Sequence, residues 1–152
     1  MNELLKDNNE KKFDPDNEMD IRAHLYHYLW LNKREDRIIK TEYPIDERKR
    51  ERIDFAIFDS KEIPKLLIEI KESERKKPEK VCESLKKRVK GDIEKLINAQ
   101  NNRSKQAKLF MILFYRKCKQ DINPNEIKKF NEEINNEYRN IEFRCHSLKT
   151  FK

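Results

Sequence analysis

Hydrophobic positions fall into short blocks along this chain, and two of them lie close together: Arg52-Ile-Asp-Phe-Ala-Ile-Phe-Asp59, then Leu66-Leu-Ile-Glu-Ile-Lys71. Both have the length of a strand, and a strand sends successive side chains to opposite faces. Alternation groups Ile53, Phe55 and Ile57 on one face of the first run and Asp54, Ala56 and Phe58 on the other. In the second run Leu66, Ile68 and Ile70 share a face, and Leu67, Glu69 and Lys71 share the opposite one. If the runs pair as neighbours, two carboxylates and an ammonium meet at one end of a sheet.

The rest of the pattern supplies a frame for these strands. Residues 1–15 are polar and broken by Pro15, and read as a flexible arm. Ile21, Leu25, Tyr28 and Leu29 recur at helical spacing over 17–34, with Asp16 or Asn17 as the cap. Residues 37–45 read as a first strand with Pro44 near its end. A basic hairpin loop, 46–52, leads into the two key strands, and a charged connection over 72–80 leaves them. Val81, Leu85, Val89, Ile93, Leu96 and Ile97 then form the apolar stripe of a helix over 79–99. Gly91, the sole glycine, sits inside that helix as a bend or a point of close approach. A polar loop follows at 101–104. After Lys108 the run to Tyr115 is continuously apolar, as in a central strand buried on both faces. Asn123-Pro124-Asn125-Glu126 opens a last helix, and a strand at 141–147 closes the chain. The order helix, three strands, helix, strand, helix, strand predicts one α/β domain over 16–152, with a mixed central sheet covered by helices.

Composition narrows the function. Lys and Arg outnumber Asp and Glu by 36 to 29, so the net charge is +7. A basic balance suits a polyanionic partner where the charge is clustered. One glycine excludes a Walker-type or dinucleotide-binding loop. Cys82, Cys118 and Cys145 are odd in number and widely spaced, which argues against a disulfide framework or a zinc site and predicts a cytoplasmic protein. The first residues lack a signal peptide's apolar core, and no run reaches membrane-spanning length. His24, His27 and His146 have no mutual ligand spacing.

Charges among apolar strand residues are costly unless they pair or hold a metal. Glu-x-Lys also occurs at Glu10/Lys12, Glu47/Lys49, Glu74/Lys76 and Glu126/Lys128, each in a polar run or on a predicted helix. Glu69/Lys71 alone lies in an apolar strand that follows another carrying an inserted Asp. One reading of Asp54, Glu69 and Lys71 is a structural salt-bridge cluster, although buried charge networks are seldom net stabilising. The other is a hard oxygen site for Mg²⁺ or Mn²⁺ with an ammonium beside it. Such an ion activates water and neutralises charge on a phosphate, and basic clusters hold the backbone. That composite points to phosphodiester hydrolysis. Glu18 heads the inward stripe of the first helix, where the alternative is a first-turn acid favoured by the helix dipole. Glu42, on the first strand, either points to the same cluster or faces solvent.

The order of elements, with Asn17 to Leu25, Thr41-Glu42-Tyr43, Arg52-Ile53-Asp54, Ile68-Glu69-Ile70-Lys71 and Gly91-Asp-Ile-Glu-Lys-Leu96, resembles the PD-(D/E)xK nuclease superfamily over roughly 16–116. The resemblance implies a three-layer α/β/α restriction-endonuclease-like fold and a metal-dependent endonuclease. It implies that Asp54 and Glu69 ligate Mg²⁺ or Mn²⁺ with the Ile70 carbonyl, that Lys71 acts on the attacking water, and that Glu18 is an accessory acid. DNA is favoured over RNA by the resemblance alone. Ile53 stands where many members have Pro, and Gln100 has no Tyr at the spacing of one branch, which leaves the subfamily open. A non-cleaving nucleic-acid-binding or assembly subunit on the same fold is the alternative. A Holliday-junction-resolvase-like enzyme is another, weakened by the lack of a glycine- or serine-rich loop near the first strands. Arg48, Lys49, Arg50 and Arg52 in the hairpin, with Lys76, Lys77 and Lys87 further on, are candidate backbone contacts. No separate recognition domain is visible, so sequence-specific cutting would need a homodimer or a larger restriction or repair assembly.

Overall fold

The computed structural model describes residues 2–10, 12–13, 15, 17–46, 50–73, 83–117 and 124–149. Its middle layer is a five-stranded sheet in the order β1-β2-β3-β4-β5. The strands are β1 (Ile38–Pro44), β2 (Arg52–Phe58), β3 (Pro64–Glu72), β4 (Lys108–Lys117) and β5 (Ile141–Lys149). The helices are α1 (Asn2–Asn9), α2 (Glu18–Asn32), α3 (Glu83–Arg103) and α4 (Pro124–Glu137). Strands β1, β2 and β3 are antiparallel neighbours, while β3, β4 and β5 run parallel. The connections dictate this split. Short loops can join only antiparallel neighbours, whereas α3 and α4 carry the chain back to start a parallel one.

Each face of the sheet has its own core. On one side Leu85, Val89 and Ile93 of α3 and Phe130 and Ile134 of α4 pack over Leu67, Met111 and Phe143. On the other, Leu4 of α1 and Ile21 and Leu25 of α2 cover Phe55, Ile68, Ile70 and Phe114. Strand β4 feeds both, sending Met111 to one core and Ile112 to the other. The fold is therefore three-layer α/β/α with a mixed sheet.

Several expectations are refined. Residues Asn2–Asn9 form a helix where the sequence suggests a loose arm, because Leu4 is fully buried in the second core. Helix α3 continues to Arg103 through most of the expected polar loop, with Ala99 still buried beneath it. Residues 79–82, Asn123 and the connection at 74–80 lie outside the described residues. Gly91 makes no close approach: a Cβ there would meet nothing within 4 Å.

The alternation expected for β2 breaks at Asp54. Ala56 and Phe58 face α3 and Phe55 faces α2, as a regular strand requires, but Ile53 joins Ala56 and Phe58. Across from Asp54, the β1–β2 ladder pairs Thr41 with Phe55 and Tyr43 with Ile53 and skips the step between. Glu42 occupies that step with φ of 50°, a left-handed conformation that interrupts a strand. The irregularity falls beside the candidate acid.

Candidate functional site

Strands β2 and β3 place Asp54 and Glu69 side by side at the end of the sheet where α2 begins. Register pairs Phe55 with Ile68, which puts the two acids at the next step. Each carboxylate then binds the other's strand. Glu69 Oε1 accepts the Asp54 N–H at 3.3 Å, and Asp54 Oδ2 accepts the Ile70 N–H at 2.8 Å. Both are buried, Asp54 at 6% exposure and Glu69 at 2%.

Helix α2 delivers the third acid. Asn17 caps it, its side chain accepting the Met19 and Asp20 N–H groups while Asp20 completes a capping box. That cap sets Glu18 in the first turn, where Glu18 Oε2 accepts the Glu72 N–H at 3.1 Å. Lys71 reaches from β3 between two layers. Its Nζ lies 3.0 Å from Asp92 Oδ2 on α3 and 3.8 Å from Glu18 Oε2 on α2. The expected residues Glu18, Asp54, Glu69 and Lys71 thus form one cluster.

Three further charges complete it, which lie in stretches that carry the resemblance but have no role assigned to them there. Lys95 Nζ of α3 sits 2.7 Å from Glu69 Oε1 and 3.6 Å from Asp92 Oδ1. Arg22 of α2 sits 3.2 Å from Asp54 Oδ1 and also pairs with Glu42. Glu42 therefore reaches the cluster through Arg22, while its own side chain remains 57% exposed. A signal for these residues does exist. Asp92 and Lys95 are three apart on a helix, hence on one face, and each directly precedes a buried residue of the inward stripe, Ile93 or Leu96. Arg22 directly follows buried Ile21.

Acids Glu18, Glu42, Asp54, Glu69 and Asp92 outnumber the cations Arg22, Lys71 and Lys95 in these contacts. Burial pushes the Glu69 carboxyl up to about 9, and the neighbouring Asp54 charge adds to the rise against the pull of Lys95. Burial opposes the charge on Lys95, but Glu69, Asp92 and Asp54 together outweigh it and the ammonium's pKa is raised. The site is short of positive charge at its most buried acid.

Would a divalent ion fit? Among the described residues no three His, Cys, Asp or Glu side chains form a metal cage. Mg²⁺ does not need one, since it is commonly held by one or two carboxylates with water and substrate phosphate. Asp54, Glu69 and the Ile70 carbonyl are hard oxygen donors of that kind. The donor set fits Mg²⁺ or Mn²⁺.

Of the candidate phosphate contacts, Arg50, Arg52 and Lys87 are exposed. Arg52 opens β2 two residues before Asp54. Arg48, Lys49, Lys76 and Lys77 lie outside the described residues, as do Cys82 and Cys118. Cys145 is half-buried, and burial pushes its thiol up to about 12. No helix among the described residues is long and apolar enough to cross a membrane.

No protein-family model matches this chain, and no curated protein matches it. Among solved structures it is similar to Pyrococcus furiosus SfsA in complex with Ca²⁺, with 17% identity and a TM-score of 0.43. The match covers 87% of this chain, which spans 58% of the length of that one.

Proposed function

We propose that this chain is a metal-dependent nuclease of the PD-(D/E)xK type that hydrolyses phosphodiester bonds, in DNA before RNA. The observation that carries the reading is the mutual clasp of Asp54 and Glu69. Each of these buried carboxylates is fixed by a main-chain N–H of the neighbouring strand, and Lys71 follows Glu69 by two residues on β3. A fixed pair of acids can hold a cation in place without rearrangement, and a cation so placed would meet the negative charge that develops on a phosphate.

The chain's residues divide the work. Asp54, Glu69 and the Ile70 carbonyl would hold Mg²⁺ or Mn²⁺, which supplies Lewis-acid charge to the phosphate oxygens and acidifies a water. Lys71, suspended between Asp92 and Glu18, holds the attacking water and balances charge gathering on the phosphate. Glu18 orients that ammonium and serves as the accessory acid. Arg50 and Arg52 give the backbone its phosphate contacts.

The test is cleavage of supercoiled plasmid, single-stranded DNA and RNA with Mg²⁺ or Mn²⁺, beside Asp54→Ala. Metal-dependent cutting that the variant lacks supports the enzyme, and cutting by both proteins sinks it. One observation favours a second reading, a non-cleaving nucleic-acid-binding or assembly subunit. Arg22 and Lys95 already sit on Asp54 and Glu69, as they would in a site that has no ion to hold. Nucleic-acid binding without cutting and without metal uptake by calorimetry would select that reading.

A further inference from the structure

Helix α2 carries a row of apolar side chains that the second core takes up only at Tyr26, which is partly buried against it. Met19, Ala23, Tyr26 and Trp30 recur at steps of four, three and four, which places them on one face of a helix. Met19 is 65% exposed and Trp30 52%, in a chain that is 43% charged. The row leads to the candidate site. A cavity of about 400 Å³ is lined by Met19, Ala23, Tyr26 and Phe55 together with Arg22 and Asp54.

Its rings are already in a graded stack. Tyr26 lies over buried Phe55 with centroids 6.5 Å apart and planes 12° from parallel. Trp30 follows at 6.2 Å and 32°. The series runs from the core out to water and ends on a largely exposed indole, with Lys33 Nζ 4.8 Å from its centroid. Aromatic faces beside cations are how proteins hold unpaired bases with little regard to sequence. A protein partner is the weaker match. Four side chains on one helix are far short of the ~800 Å² that each side of a stable protein interface buries.

We propose that the Met19–Ala23–Tyr26–Trp30 face of α2 is a track on which unpaired bases of the substrate strand stack, so that the substrate is single-stranded nucleic acid or a frayed end rather than intact duplex. The proposal rests on the nuclease reading for its account of what happens at Asp54, but the binding it describes needs no cleavage. Eight residues of helix separate Arg22 from Trp30, about 12 Å at the usual rise. That is about three to four nucleotides at ~3.4 Å each, so Trp30 meets a base that far from the phosphate at Asp54. The Lys33 contact to the ring is weaker than base stacking, so a base can displace that ammonium toward a phosphate.

Trp30 is the chain's sole tryptophan, so its fluorescence reports this surface directly. The protein would be titrated in EDTA with a short oligothymidylate and, separately, with that strand annealed to its complement. The single strand is expected to quench the emission and to bind several-fold tighter than the duplex. Trp30→Ala should weaken single-strand binding by about 5- to 100-fold with an unchanged melting temperature, and Trp30→Phe should retain most of the affinity. Equal affinity of the parent and Trp30→Ala, or equal quenching by duplex, would overturn the proposal. So would a dimer in sedimentation that Trp30→Ala dissolves, since the face would then be a contact between copies. Absence of metal-dependent cutting would remove the nuclease reading and leave the quenching result standing. Cutting of single strands by Trp30→Ala with an unchanged KM would remove the track and leave the nuclease.

Discussion

Lys95 Nζ lies 2.7 Å from Glu69 Oε1, so the cation paired with the most buried acid of the cluster comes from a different layer of the fold. Removing one partner of a buried pair usually costs about 3–5 kcal/mol. Lys95→Met should cost less, about 3 kcal/mol or below, because a Glu69 carboxyl already pushed up to about 9 can take a proton instead. Without the competing ammonium, Mn²⁺ should raise the variant's melting temperature more than the parent's. Thermal melts with and without Mn²⁺ check both points, and an equal metal response in the two proteins would show that Lys95 does not compete for the site.

Lys71 is the residue to which the proposed nuclease assigns the attacking water. Its side chain is 21% exposed and held between Asp92 and Glu18. Lys71→Ala should lower cleavage by about 10²-fold or more while leaving folding and nucleic-acid binding largely intact. Single-turnover cleavage and a binding titration separate the two. A variant that cuts as fast as the parent would remove Lys71 from the mechanism.

Gly91 can be improved upon. It lies inside α3 with open space where a Cβ would go. Gly91→Ala should therefore stabilise the protein by about 1 kcal/mol, the difference in helix propensity, without touching the acid cluster. Denaturant unfolding measures this, and a destabilised variant would mean that the position has a packing role.

His146 gives the fold a pH dependence. It tilts against Phe114 with ring centroids 5.9 Å apart, and its Nε2 is buried with no hydrogen-bond partner among the described residues. Burial, then the nearby Arg144 charge, holds its pKa below the usual 6.5. The unfolded chain thus binds a proton at a higher pH than the folded one, so stability rises with pH in that window. Stability is fully present above about 6.5 and is lost as pH falls toward the folded pKa. Urea melts from neutral to mildly acidic pH should show this slope, and His146→Phe should flatten it.

Some of this protein is written in local pattern. Two apolar runs with Asp54 and Glu69 inserted were enough to find the central strands, because a buried strand has period two and tolerates polar residues poorly. Val89, Ile93 and Leu96 marked α3, since helical spacing puts them on one face. Asp54, Glu69 and Lys71 were legible for the same reason, each set into an apolar strand, whereas Glu18 rested on its place at the head of an inward stripe and on the resemblance.

What the pattern could not give was set by distance through space. Leu4 looks like a stray apolar residue in a polar arm until the second core closes over it. Ile53 changes face next to the step where Glu42, distant in sequence but across the sheet from Asp54, takes φ of 50°. Arg22, Asp92 and Lys95 are ordinary charges on helices until packing brings α2 and α3 against the two carboxylates. Local periodicity determines which residues are buried. Which buried acid meets which cation depends on how layers dock, and only the tertiary structure decided that.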